Sequence, residues 1–321
     1  MMIDGTIGDK HEMEETLMFY RFSFGIKWND PQGHNHLGII LINQGKLFEG
    51  ITAFLRAISL SPGYAEAYHN LGNALAAQNE PEKALAAFEE AKKLNPTNET
   101  AHHMVNALSG RQSPYPPRNF VRKLFDQYAS FFEGHLNALT YQAPENLKTA
   151  LEKSCNINPF FCNAIDLGCG TGLSGLAFVC ITERLSGIDI SANMIEKAAR
   201  KKIYDELITG DICQALQSRH WQQYDLFIAV DVLAYIGRLE GLFRTVRDKA
   251  TDSASFIFTT ESCRGSDYLL MKSGRYAHSR SYISKLCRRY DFILSSCEEI
   301  RIRKDRGRWI MGDAYVLRHG V

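Results

Sequence analysis

Apolar positions in the first hundred residues follow a helical spacing, and the helices themselves recur. Leu37, Leu41, Phe54 and Ala57 stand 34 positions before Leu71, Leu75, Phe88 and Ala91. Small residues keep the same register, Gly38 with Gly72 and Gly50 with Ala84. Small positions let paired helices approach closely, and large ones fill the gaps between them. Pro62 and Pro96 stop the second helix of each pair, because proline cannot continue a helix. The spacing predicts helices near 33–44, 47–60, 65–78, 81–94 and 99–109. Thr16, Tyr20, Ser23 and Trp28 fall one period earlier and predict a degenerate half-repeat over 13–27. Ser109–Pro117, with Gly110 and three prolines, reads as an extended boundary. The domains expected are therefore 1–110, a linker over 111–118, and 119–321.

Beyond that boundary the pattern changes to short apolar runs alternating with helical stretches, the mark of a largely parallel sheet. Strands are predicted near 163–167, 185–189, 206–209, 224–230, 254–260, 292–302 and 308–318. The last two read as an antiparallel pair turning at Lys304–Gly307. Residues 119–135 read as one amphipathic helix carrying Phe120, Leu124, Tyr128, Phe131 and Phe132.

Candidate chemistry concentrates where the first strand ends, in Ala164-Ile-Asp-Leu-Gly-Cys-Gly-Thr-Gly172. Glycines let the backbone turn sharply and approach a ligand, and the helix predicted from Leu173 offers free N–H groups to an anion. Asp189 closes the second strand, where a carboxylate can accept ribose hydroxyls. Gly170-Thr-Gly-Leu-Ser-Gly175 also fits the dinucleotide pattern, which is weak alone. Asp166 argues against it, since a carboxylate would repel a pyrophosphate but suits a ligand carrying an ammonium and a sulfonium. S-adenosylmethionine carries both.

Asp166–Gly172 resembles the first motif of class I S-adenosylmethionine-dependent methyltransferases. Gly187–Met194 is similar to their ribose motif, Gly210-Asp211-Ile212 to the adenine motif, and Tyr224–Tyr235 to the fourth strand and its tip. The repeats resemble tetratricopeptide repeats. The whole arrangement is similar to a bacterial family of methyltransferases of unassigned substrate that carry such repeats, sharing Val121–His135 and Tyr276–Ser279. The fold class implied is an all-α repeat domain followed by an α/β Rossmann-like domain with a seven-stranded mixed sheet and a reversed last strand. The resemblance assigns Gly168, Cys169, Gly170 and Gly172 to the methionine portion of the cofactor, with Thr171 as a cap or hydroxyl contact. It gives Asp189 the ribose, Ile190 and Met194 the adenine face, Asp211 the adenine amino group and the Ile212 N–H a ring nitrogen. Tyr128 lies on a lid, and Asp231 and Tyr235 face the transferred methyl.

A general base is needed only for an acceptor that is protonated at neutral pH. Tyr235, Tyr276 and His278 are the catalytic candidates, His278 foremost because imidazole switches near neutrality, with Glu261 a further possible base. Arg275, Arg280, Arg301 and Arg303 could clamp an anionic acceptor or stand as solvated charges.

Composition sets outer limits. The chain has 321 residues, 45% hydrophobic, and a net charge of +1. That balance hides 13 acidic against 8 basic residues over 1–110, and 13 basic against 6 acidic over 264–321. Eight scattered cysteines without a Cys-x-x-Cys pair suggest buried reduced thiols, a cytoplasmic protein and no metal site. No apolar run is long enough to span a membrane. The fourth-strand tip reads Asp231-Val-Leu-Ala, with no aromatic motif for base methylation, so no nucleic-acid substrate is expected. Two readings stay open. One is an enzyme methylating a small molecule or a carrier-bound group, with the repeats binding a protein partner. The other is a repeat scaffold with a non-catalytic cofactor-binding domain.

Overall fold

The computed structural model describes residues 27, 29–155, 159–219, 222–305 and 308–320. The half-repeat expected over 13–27 thus lies outside the described residues, apart from Lys27. The chain divides into two compact units, one running to Arg111 and including Lys272–Gly274, the other comprising Gln112–Met271 and Arg275–Val321.

In the first unit the described helices are α1 (Pro31–Asn43), α2 (Leu47–Leu60), α3 (Ala65–Ala77), α4 (Pro81–Leu94) and α5 (Glu99–Leu108). Pro31 and Pro81 occupy first-turn positions, where a missing N–H costs nothing. The 34-residue repeat is a repeat of contacts. A Cβ on Gly38 would overlap the Phe54 ring, and one on Gly72 would come within 2.9 Å of the Phe88 ring. Each glycine is therefore the socket for the phenylalanine of the following helix. Leu37, Phe54, Ala57, Phe88 and Ala91 are buried with it.

The second unit opens with α6 (Arg118–Tyr128), α7 (Phe132–Ala138) and α8 (Ala143–Ser154). The single helix expected over 119–135 is thus two, broken by a turn at Ala129–Phe131. The break puts Phe131 into solvent, 50% exposed, and lets Phe125, Tyr128 and Phe132 gather at one site. The order continues β1 (Phe161–Leu167), α9 (Leu173–Phe178), β2 (Thr182–Asp189), α10 (Ala192–Arg200), β3 (Glu206–Thr209), α11 (Ile212–Gln217) and β4 (Tyr224–Ala229). It ends with α12 (Glu240–Lys249), β5 (Ala250–Ser262), β6 (Tyr268–Leu270), β7 (Tyr276–His278), α13 (Arg280–Arg289), β8 (Phe292–Asp305) and β9 (Arg308–His319).

Among the described residues the sheet has nine strands rather than seven, and runs β3-β2-β1-β4-β5 in parallel. β9 then pairs antiparallel with β5, and β8 with β9. The two additional strands are too short to show a hydrophobic period. β7 pairs with β5 at Glu261 and Ser262, past the last residue that pairs with β4. β6 pairs antiparallel with β7. Strand alternation sorts the core to two faces: Phe227 and Phe256 pack with Phe243 and Phe292, whereas Leu226 and Ile257 pack with Leu147 and Phe178. The strand order reverses between β1 and β4, and such a switch point leaves a crevice beyond the carboxyl ends of the strands.

Candidate active site

The crevice is a cavity of about 750 Å³. At its strand-tip end lie Gly168, Gly170, Asp189, Ile190, Asp211 and Ile212. Gly168, Gly170 and Gly172 have φ of +77°, +54° and +91°, in the left-handed region where a Cβ is costly. A Cβ on Gly168 would also stand 2.5 Å from Val232. At Gly170 the only neighbour is the Phe132 ring at 3.9 Å, so that stretch of backbone lies open to the cavity. The Asp189 carboxylate is positioned by two backbone donors, Gly170 N–H at 2.9 Å and Ser191 N–H at 2.8 Å. Burial raises its pKa to about 6. Asp211 caps α11 by accepting from the Gln214 N–H at 3.1 Å while also lining the cavity.

Asp166 is fully buried behind the wall. Its Oδ2 accepts from Ser174 Oγ at 2.6 Å and Tyr204 OH at 2.7 Å, while Oδ1 is buried with no hydrogen-bond partner. Burial pushes this carboxyl up to about 6 as well. Cys169, Thr171 and Met194 are buried and, like Gly172, are not part of the cavity wall. Their side-chain positions make them supports of the loop and of α10 rather than surfaces a ligand touches. The contacts expected of Cys169 and Gly172 are those of backbone groups, which side-chain burial does not address, while the Thr171 and Met194 side chains lie off the wall.

Over the cavity lie α6 and α7, with Phe132 above the glycine loop and Phe125 reaching toward Tyr235. Phe125, Tyr128 and Phe132 meet edge to face, with centroids 6.3 and 5.4 Å apart, and Phe125 packs on Tyr235 at 4.9 Å. These helices are fastened down by polar bonds. Ser191 Oγ donates to Asp126 at 2.6 Å, Asn193 Nδ2 to the Asp126 carbonyl at 2.9 Å, and Lys201 pairs with Glu133 at 2.5 Å.

Beneath them is a largely buried group of four charges, their side chains 10–16% exposed. Arg275 Nη2 meets Asp231 at 2.5 Å and its Nε meets Glu261 at 2.7 Å. Arg303 reaches the same two carboxylates at 3.4 and 2.8 Å. Arg275 Nη1 also donates to the Tyr235 hydroxyl at 2.6 Å, with its guanidinium 4.7 Å from that ring. Asp231 adopts φ +57°, unusual for a non-glycine residue. Burial raises the Tyr235 phenol despite the nearby Arg275, and raises Tyr141, another lining residue, further. Both are therefore neutral hydroxyls at physiological pH, which removes Tyr235 as a ready base and makes it a donor.

The other two expected bases lie away from the cavity. His278 is fully buried, and its Nε2 donates to the Gly237 carbonyl at 2.9 Å. Burial lowers its pKa to about 4, so it stays neutral and tethers the loop after β4. Tyr276 is fully buried against Gly237. Arg280 pairs with Asp313 and Arg301 lies over Trp309, so of four candidate arginines only Arg275 and Arg303 line the cavity. Phe125, Tyr141, His135 and Tyr204 were not foreseen. Phe125 and His135 lie inside the shared Val121–His135 segment without being singled out there, whereas Tyr141 and Tyr204 sit outside any local motif and reach the site through the fold.

A glycine loop at a sheet switch point, an acid closing the second strand and a closing antiparallel hairpin define the class I S-adenosylmethionine methyltransferase fold, preceded here by tetratricopeptide repeats. Comparison with known proteins bears on both parts. Residues 161–314 match the family described as Methyltransferase domain, residues 65–98 the tetratricopeptide repeat, and residues 38–79 a further TPR repeat family. The tetratricopeptide repeat domain-containing protein PYG7, chloroplastic, of Arabidopsis thaliana is 39% identical over 84 residues, 26% of this chain. That stretch spans 28% of the length of the plant protein. Among solved structures, the [4+2]-cyclase SpnF superposes with a TM-score of 0.50 at 15% identity, covering 65% of this chain and 98% of that one. Magnesium protoporphyrin IX methyltransferase from Synechocystis PCC 6803, solved with bound S-adenosylmethionine, gives 0.48 at 17% identity, covering 63% and 97%. At these identities the likeness is one of fold.

The residues present fit S-adenosylmethionine. Asp166 Oδ1 is a buried acceptor with no hydrogen-bond partner among the described residues, suited to a water-mediated contact with an ammonium, and the Gly170 backbone lies open to the cavity. With the methyltransferase-domain match, these features support S-adenosylmethionine as the cofactor. Among the described residues no helix is long and apolar enough to cross a membrane. None of the eight cysteines is paired, although Cys162 and Cys180 are exposed rather than buried as expected.

Proposed function

We propose that the chain is an active S-adenosylmethionine-dependent methyltransferase acting on a small molecule or a carrier-bound group, in the cytoplasm, with residues 1–110 as a docking domain for a protein partner and 111–118 as the linker. The observation that carries this reading is one continuous cavity reaching from the glycine loop to the aromatic and charged wall at Tyr235 and Arg275. A scaffold needs a cofactor end at most; an enzyme needs both ends to open into one space. Its volume falls in the ~300–1,000 Å³ range of small-molecule sites.

The cofactor supplies an electrophilic methyl on a sulfonium. The protein's task is alignment, and holding two reactants in line contributes up to ~7–11 kcal/mol in favourable systems. Asp189 and the glycine backbone hold one end, α6 and α7 exclude water from above, and Tyr235 with Arg275 orients the acceptor. Methyl transfer is supported by the match to a methyltransferase domain, while a [4+2]-cyclase on a similar fold is a reminder that fold alone does not set the reaction.

Titration calorimetry of the full chain with S-adenosylmethionine, S-adenosylhomocysteine and NAD tests the reading. Binding of the first two and not NAD is the expected result. NAD binding alone would overturn it. Binding of none of the three would overturn it as well, and binding of S-adenosylmethionine with no labelled methyl transferred to any acceptor in a substrate screen would favour the cofactor-binding scaffold.

A further inference from the structure

The acceptor end of the cavity has a chemistry of its own. Its upper wall is aromatic, formed by Phe125 packed on Tyr235 with Tyr141 among the lining residues, and its floor is Arg275, Asp231 and Arg303, tied together through Glu261 behind them. Building on the methyltransferase reading, we infer that the acceptor is the carboxylate of a largely apolar, ring-sized molecule, methylated on oxygen to an ester.

Three observations converge. The first is the donor supply. Arg275 points Nε, Nη1 and Nη2 at Glu261, Tyr235 and Asp231. Each terminal guanidinium nitrogen carries a second N–H, and Arg303 adds another fork on the same wall. The Tyr235 oxygen accepts from Arg275, which leaves its own hydrogen to donate. Guanidinium donors in a forked array match the two oxygens of a carboxylate.

The second is charge balance. Asp231 and Glu261 cancel Arg275 and Arg303, so the buried group is neutral as it stands. A sulfonium brought beside it adds one positive charge in a poorly solvated space. An anionic acceptor cancels that charge and an ammonium would double it, a difference that counts for most where the effective dielectric is low.

The third is the lack of an available base on the floor. His278 is turned to the Gly237 carbonyl, Tyr276 is away from the wall, and Asp231 is held by two guanidiniums. A carboxylate needs no base. Its oxygen lone pair forms the new bond to the methyl carbon, the carbon–sulfur bond breaks, and its pair stays on sulfur as a neutral thioether. No proton is released. A phenol or an ammonium acceptor would release one.

The test uses the full chain saturated with S-adenosylhomocysteine and four matched probes: naphthoate, naphthamide, naphthol and naphthylamine. Ligand-detected NMR should show naphthoate binding at least about tenfold more tightly than the other three, as a charge-assisted contact implies. Arg303→Gln should weaken naphthoate by about tenfold and leave S-adenosylhomocysteine affinity within about twofold. Arg303→Lys should restore part of the loss. With S-adenosylmethionine, naphthoate should give its methyl ester in unbuffered solution without acidification. Preference for naphthol or naphthylamine overturns the inference, as does equal binding of naphthoate and naphthamide. So does naphthol methylation that His135→Gln abolishes, since His135 is the remaining imidazole on the wall. If Arg303→Gln no longer binds S-adenosylhomocysteine, the wild-type probe ranking alone decides. Failure of the wild type to bind S-adenosylhomocysteine would instead remove the methyltransferase reading itself; binding of it with none of the four probes sinks only the carboxylate.

Discussion

The two ends of the cavity are built by opposite means. The cofactor end is backbone: a glycine turn, two strand tips and one carboxylate fixed by main-chain donors, all between Asp166 and Ile212. The acceptor end is side chains from α6, the loop after β4, the residue before β7, β5 and β8, spread from Phe125 to Arg303. The first tolerates little because every atom is defined by chain geometry. The second depends on each charged partner being present, because removing one strands the others without water.

That contrast can be broken most forcefully at Arg275. Arg275→Ala would leave Asp231 and Glu261 sharing only Arg303 in a buried site. Breaking a buried pair in this way costs about 3–5 kcal/mol. Urea unfolding should show a loss of that order, and a loss below about 1 kcal/mol would mean that the charges are better hydrated than their burial implies. At the other end, Gly168→Ala forces a left-handed φ on an ordinary residue and drives its methyl into Val232. Roughly 2 kcal/mol of stability should go, together with S-adenosylhomocysteine affinity in calorimetry. Retained affinity would show that the loop re-forms around the change.

Asp166 separates stability from function. Its folded pKa of about 6 lies above the ~3.9 of an unfolded chain, so the native state binds the proton more readily. Stability is therefore lost as pH rises between those values. Asp166→Asn should remove that loss and stabilise the unliganded protein at pH 7 by roughly 1–2 kcal/mol, allowing for the two donors it must still satisfy. It should also weaken cofactor binding, and in the wild type that binding should weaken as pH falls below about 6, where Asp166 and Asp189 protonate. Denaturation at pH 4 and pH 7 in parallel with calorimetry separates the two effects; a variant less stable than the wild type at pH 7 contradicts the first. The smallest effect belongs to His278, whose imidazole should stay neutral from pH 5 to 8. An NMR titration showing it protonate above pH 6 would restore it as a candidate base.

The same contrast explains what could be read in advance. The glycine turn and Asp189 were legible because short-range backbone geometry demands particular residues at fixed spacing. The paired helices were legible for the same reason, since a glycine socket must stand a set distance from its phenylalanine. Tyr276 and His278 were misjudged because β7 is three residues long, too short for alternation to reveal that both side chains point into the core. Phe125 was passed over although it stands three residues before Tyr128 and seven before Phe132, on the helical face they share, so the spacing alone could have found it. Arg275 and Arg303 could be named as candidates but not chosen over Arg280 and Arg301. Only the pairing of β5 with β7 and of β8 with β9 decides which guanidiniums meet.

The fastening of α6 and α7 has a consequence for tempo. Asp126 and Glu133 are tied to Ser191, Asn193 and Lys201, all within a dozen residues after Asp189. On a route that parts those helices, arrival and departure wait for the same few bonds. Arrival and departure are slowed together, so the clasp sets a dwell time without changing which molecule is preferred. Part of it is a half-exposed ion pair, and dissolved salt shortens such a dwell by screening it. On that route the pace of ligand exchange follows the ionic surroundings, through an ion pair on the helices rather than in the cavity wall.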